Sequence, residues 1–209
     1  SSNSNANIAL GNNSDETNPQ TGNAITPLSG LGTSFTGQFE GLGHTISNIS
    51  LTYPGVGDIG LFGRLDGAGT IRNITIDNAQ VAGLNNVGVL VGRAGGDYQA
   101  GLTTIYNSHV VNSTVTASDT NPGNDANAGG LVGNAIGGLI DGSSARNITV
   151  TATGNNVGGL VGQISQASLK NSDATGAVSS PGGNNVGGLV GVVGLMNSPV
   201  SNSYAQVNV

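Results

Sequence analysis

The sequence predicts an all-β chain wound as a right-handed parallel β-helix, a β-solenoid of roughly six or seven coils rising about 4.8 Å each. Three observations predict it. The stretch NNVGGLVG occurs at 155–162 and again at 184–191, with NNVGVLVG at 85–92. The glycines closing these copies and two relatives (Gly63, Gly92, Gly133, Gly162 and Gly191) are spaced by 29, 41, 29 and 29 residues. The runs between them are short, β-branched and bounded by Gly, Asn and Ser, as in TIRNITI (70–76) and NITVTAT (147–153).

A fixed period of this length marks a stacked-repeat architecture. Helix is excluded because no segment places apolar residues at i, i+3, i+4 and i+7, and because Gly is too frequent at 37 of 209 residues. Three short strands fit within 29 residues. One such unit cannot bury its own apolar face. Stacked units can, with each strand pairing in parallel with its counterpart in the next coil. Parallel crossovers are right-handed, which sets the expected hand.

Stacking explains the repeated words. Leu61, Leu90, Leu131, Leu160 and Leu189 are expected to form one interior column, with flanking glycines that let backbones pass closely. Alternation puts neighbours on opposite faces, so one of each Leu and the residue after it is expected to point outward or sit at a corner. A second column is read from TISNISL (45–51), TIRNITI (70–76), TIYNSHV (104–110), LIDGSSA (139–145), SLKNSDA (168–174) and PVSNSYA (199–205). It consists of Asn48, Asn73, Asn107, Gly142, Asn171 and Asn202. Corners between strands need φ > 0, which Gly and Asn tolerate best. Stacked Asn side chains can also hydrogen-bond along the axis. The expected organisation is an N-terminal coil or cap over 1–34 and repeats over 35–209, with an insertion between 93 and 128.

Composition narrows the function classes. The chain has no Cys, no Trp, 3% aromatics and 8% charged residues, against about a quarter charged in an average soluble domain. Net charge is −6, and the five basic residues (Arg64, Arg72, Arg93, Arg146 and Lys170) are scattered, so no nucleic-acid footprint is expected. No apolar run approaches the length of a membrane-spanning helix. The opening SSNSNANIAL reads as the interior of a longer chain or as a mature form. A Gly, Asn, Ser and Thr surface without Cys suits a bacterial exported protein.

The GGLVG copies resemble the GLUG motif of bacterial exported proteins. The segment FTGQFEGLGHTISNISL (35–51), followed by IGLFG (59–63), resembles the opening of filamentous-haemagglutinin-like exoproteins and other large surface adhesins. The similarity covers roughly residues 28–205. It departs in two places. GDIGLFG sits one residue out of step with NNVGVLVG, and the third copy carries 12 extra residues. The resemblance implies a right-handed β-helical passenger segment, secreted to the cell surface by a two-partner or autotransporter route.

Chemistry is sparse. A glycosidase needs two carboxyl groups about 5–10 Å apart, but Asp77, Asp141 and Asp173 fall in different columns of the repeat. Asp58 and Asp66 flank GLFG and are the pair placed to meet at a corner. His44 and His109 have no Cys or second His beside them, so no zinc site is expected. Asp119, Asn121 and Asp125 offer weak calcium ligands in a solvated loop. The Thr residues 75, 114, 116, 149 and 151 are read as out of register, which argues against an ice-binding array. Sequons occur at Asn48, Asn73, Asn112 and Asn147.

The expected function is therefore non-enzymatic: a stalk that presents loops for attachment to a host cell, surface or glycan, as part of a larger exported chain. The alternative is a polysaccharide-active or carbohydrate-binding β-helix. Binding residues are sought in the insertion, at Asp97, Tyr98, Asp119, Asn121 and Asp125, and excising 119–127 is expected to leave stability nearly unchanged.

Overall fold

Gly, Asn and Ser break the chain into segments too short to form a sheet alone, and stacking across turns joins them into sheets. The computed structural model describes residues 5–16, 27–28, 30–96, 102–119, 125–194 and 197–209. Among them there is no helix. Parallel strands stack as a β-solenoid of about six turns, in sheets of 11, 10 and 4 strands.

The third turn shows the plan. It runs through Val87–Gly88, Val91–Gly95, Thr104–Tyr106, His109–Val111 and Thr114–Ala117. Sequence suggested three strands per turn; here there are five. In the fourth and fifth turns neighbouring segments fuse. Val132–Asp141 and Val161–Lys170 each span the second and third segments, and Ser144–Ala152 spans the fourth and fifth. The three-strand reading therefore describes the fourth and fifth turns. The first sheet holds the second and third segments, the second sheet the fourth and fifth, and the third sheet the first. Within 1–34, Ile8–Ala9 and Ser14–Asp15 already pair with the first turn, through Ile8 with Phe39 and Asp15 with Ser47.

The interior is a single apolar stack. Inward positions repeat the same residue type from turn to turn, as in Ile71, Ile105, Ile140 and Leu169, all buried and in register. The three phenylalanines gather near the N-terminal end, with Phe62 ring centroids 5.1 Å from Phe35 and 5.2 Å from Phe39. Edge-on and tilted contacts of this kind add to area burial.

The leucine column forms the bend between the third sheet and the first. Leu61, Leu90, Leu131 and Leu160 are buried, and Leu189 packs against them partly exposed. Backbone bonds join Leu90 to Leu131, Leu131 to Leu160 and Leu160 to Leu189 in successive turns. The residues that follow (Phe62, Val91, Val132 and Val161) are fully buried as well. Neither neighbour faces outward, because the bend at Leu turns both side chains inward. Backbones pass closely at the closing glycines. A Cβ on Gly133 would lie 2.4 Å from the Val87 amide nitrogen and 2.7 Å from the Gly92 carbonyl oxygen.

The 12 extra residues divide between two places. Ala94 to Thr104 spans ten positions, where the register-matched Leu65 to Thr70 spans five. Ala117 to Ala128 spans eleven, where Gly83 to Val87 spans four. The excess is thus five residues at one corner and seven at another.

Candidate functional surface

Two corners of each turn carry the same local chemistry. At the corner between the first and second sheets, backbone amides link each turn to the next: Asn73 to Tyr106 O, Asn107 to Asp141 O, Gly142 to Lys170 O and Asn171 to Ser201 O. These residues and Asn202 have φ between 44° and 62°. Asn48 does not belong to this column. Its amide bonds to Asp77 O, placing it over Asn78, and Asn78 and Asn112 bond in turn to Val111 O and Arg146 O. Asn48, Asn78, Asn112 and Asn147 form a second column inside the second sheet, at φ 52–61°. Gly41 takes the first-turn place above Asn73, bonding to Arg72 O. The misplacement has a physical cause. Both corners need φ > 0 after an inward Ile, so both read as apolar–x–Asn.

Side chains bridge the turns along both columns. Asn107 Nδ2 donates to Asn73 Oδ1 at 2.9 Å, and Asn147 Nδ2 to Asn112 Oδ1 at 2.8 Å. Gly142 interrupts the first ladder, and Asn171 donates instead to the Asp141 carboxylate at 2.8 Å. The Nδ2 groups of all four sequon residues are engaged in such bonds.

The most continuous ladder lies in the repeated word itself. Asn86 donates to Asp58 (2.7 Å), Asn127 to Asn86 (2.8 Å), Asn156 to Asn127 (3.0 Å) and Asn185 to Asn156 (2.8 Å). All five residues have positive φ, and Asn127 and Asn156 are buried. Sequence reasoning passed over these asparagines, although the second Asn of each NNVG copy carried the signal. Beside the first column a buried serine ladder runs parallel, with Ser108 N, Ser143 N and Ser172 N each donating to the next turn's Ser Oγ.

Several of the described ionic groups border the first corner. Just before it stand Arg72, Tyr106, Asp141 and Lys170, stacked in register. Just after it stand His109, Ser144, Asp173 and Tyr204. Arg72 pairs with Glu40 at 2.6 Å, Lys170 with Asp141 at 3.4 Å, and Arg146 grips both oxygens of Asp173 at 2.7 and 2.8 Å. Burial pushes the Glu40 carboxyl up, but hydrogen bonds from Asn73, Leu42 and Arg72 and the Arg72 charge outweigh it and hold Glu40 below the usual value. Arg146 is raised by Asp173, through hydrogen bond and charge, with a smaller contribution from Tyr204.

His109, Ser144 and Asp173 are register neighbours, yet they do not form a nucleophile–base relay. His109 Nδ1 meets Ser144 Oγ at 2.9 Å, but its Nε2 faces Asn107 Oδ1 at 3.2 Å, and Asp173 is held by Arg146. Ser144 is buried at 2% exposure. Asp77, Asp141 and Asp173 likewise serve separate partners. Asp58 and Asp66 share a neighbour, with Arg64 Nε 3.7 Å from one carboxylate and 3.4 Å from the other. His44 contacts Asn13 at 3.3 Å. Among the described residues no three His, Cys, Asp or Glu converge on a point.

Burial lowers the His109 imidazole below its ordinary 6.5, helped by the Arg146 charge and opposed by Asp173. The unfolded chain then binds more protons than the folded one below about pH 6.5. Stability is fully present above 6.5 and falls as pH drops toward the lower folded value. The thermal midpoint should decline between pH 7 and pH 5, and His109→Gln should flatten that decline when followed by circular dichroism.

The expected binding loop is altered by the structure. Asp97, Tyr98 and Asn121 lie outside the described residues. Asp119 is buried, receiving Asn85 and Thr153, so it is not a protruding contact. Asp125 is exposed but opens the strand Asp125–Gly129. Excising 119–127 would remove core Ala126 and ladder Asn127, so the expected neutrality of that deletion does not hold. The threonines also stand corrected. Thr114 stacks on Thr149 and Thr116 on Thr151, while Thr75 lies in another lane.

Comparison with known proteins agrees with this architecture. The GLUG motif family matches residues 153–179. Halomucin of Haloquadratum walsbyi is 42% identical over 99 residues, which are 47% of this chain and 1% of that protein. A crystal structure from Bacteroides ovatus, named as a candidate immunoglobulin A1 protease, superposes with a TM-score of 0.74 at 22% identity. It covers 98% of this chain and 60% of that one. That likeness shows the fold alone.

Proposed function

We propose that the chain is a non-catalytic segment of an exported, surface-associated protein, a stiff β-helical stalk that takes part in attachment. One observation carries the reading: ladder bonds from Asp58 to Asn185 tie five successive turns into one rod. Such a scaffold has little freedom for the closure steps of many enzymes and is suited to bearing load and presenting side chains at fixed spacing. The GLUG match and the halomucin relative, in which the aligned stretch is 1% of the length, support a repeat module within a very large protein. The alternative, a polysaccharide-active β-helix, needs two carboxyl groups free to act on one bond. Glu40, Asp77, Asp141 and Asp173 are instead tied to Arg, Lys or Asn partners, and Asp58 and Asp66 both border Arg64.

The test is antibody against this chain on intact cells of the source organism. Surface labelling that is lost after brief protease treatment of intact cells is expected. Labelling only after permeabilisation would contradict the proposal.

A further inference from the structure

The corner between the first and second sheets carries groups that the ladders do not explain. The chain has only four tyrosines and no tryptophan. Tyr53 packs against the core. Tyr106 and Tyr204 instead face solvent at 48% and 61% exposure, on either side of this corner. Tyr106 lies in the third turn and Tyr204 in the sixth, so three coil rises separate them, about 14 Å along the axis. Tyr204 stacks in register on Asp173, which Arg146 grips.

Between the two rings the ridge of corner side chains has a gap. Gly142 stands where Asn107 and Asn171 stand in the turns before and after. A Cβ placed there would meet nothing nearer than the Asn107 amide nitrogen at 3.9 Å. The notch is bordered by Asp141 and Lys170, themselves an ion pair. Each cation along the strip has its carboxylate, so the strip as a whole presents no net charge.

Exposed rings, a shallow notch and prepositioned polar groups without net charge fit one class of ligand. Sugar rings have apolar C–H faces that stack on aromatic rings and hydroxyls that bond to amides, carboxylates and guanidinium groups. A charged polymer would find no opposite field here. An apolar peptide would find too little contiguous apolar surface.

We propose that this strip binds a neutral oligosaccharide, with Tyr106 and Tyr204 as stacking platforms and the Gly142 notch seating a ring between them. The inference deepens the attachment function proposed above and rests on it.

Isothermal titration of the 209-residue chain with cellohexaose, xylohexaose and mannohexaose, against oligogalacturonate as charged comparator, tests it. At least one neutral hexasaccharide is expected to bind, with oligogalacturonate weaker. Tyr106→Ala and Tyr204→Ala should each weaken binding about tenfold or more, and Tyr204→Phe much less. Gly142→Asn, which suits the local φ of 62°, should fill the notch and weaken binding while leaving the melting curve in place. Three results would overturn the proposal: no neutral hexasaccharide bound at millimolar concentration, binding unchanged in the Tyr106→Ala/Tyr204→Ala double variant, or a preference for oligogalacturonate. Surface labelling of cells does not depend on these residues, so failure here and failure of the stalk reading are separable.

Discussion

Gly162→Ala is expected to destabilise the chain by about 3 kcal/mol or more, at the upper end of overpacking costs, or to prevent folding. The new methyl group would sit 2.5 Å from Gly133 O, 2.6 Å from Ala128 N and 2.6 Å from Asn127 C. All three are backbone atoms of the preceding turn, and no side chain can swing aside. Relief requires two turns to separate where the core stack and the buried Asn ladder both pass. Gly142→Ala makes the contrast: its Cβ meets open space, and its cost is limited to the φ of 62°, of order 1 kcal/mol. Urea unfolding followed by circular dichroism measures both. Equal midpoints for the two variants would show that close backbone passage does not set the glycine column.

Asn156→Ala should cost about 2–4 kcal/mol, combining an orphaned buried hydrogen-bond acceptor with backbone strain. Asn156 is 3% exposed, donates to Asn127 and accepts from Asn185. Its removal takes the donor from the buried Asn127 amide oxygen, leaves the exposed Asn185 amide to water, and puts Ala at φ 62°. Asn156→Gly relieves the strain but not the lost bonds, so it should fall between wild type and Ala. Asn202→Ala, at an exposed position with a single 3.3 Å ladder bond to Asn171, should cost under about 1 kcal/mol. A denaturation series in which Asn202 and Asn156 behave alike would mean that the ladders add no stability beyond corner geometry.

The period and the Leu–Gly core were legible because they are packing constraints: an interior mould repeats, so its residues repeat. The corners were legible only in part. Asn48 to Asn73 is 25 residues, whereas Asn48 to its true neighbour Asn78 is 30, close to the repeat. Spacing alone could have placed it, but the local words are nearly identical. Outward columns were the least legible. No packing rule fixes what faces solvent, so Tyr106, Arg146, Asp173 and Tyr204 look unrelated until register brings them to one corner. The insertion misled for a related reason. Its excess is shared between two loops, and one flank of the second, from Asp125, is strand and ladder rather than free loop.

The register of the turns is the claim on which the ladders, the notch and the strip all depend. Because the chain has no cysteine, engineered pairs read it directly. In the stacked register Ser47 lies opposite Asp77, while Arg72 lies opposite Glu40. Parallel neighbours about 4.8 Å apart are within the Cα separation a disulfide accepts. Under mild oxidation Ser47→Cys/Asp77→Cys is predicted to cross-link, and Ser47→Cys/Arg72→Cys to stay reduced. Cross-linking of the second pair and not the first would place Asn48 over Asn73 and contradict the arrangement of turns described above.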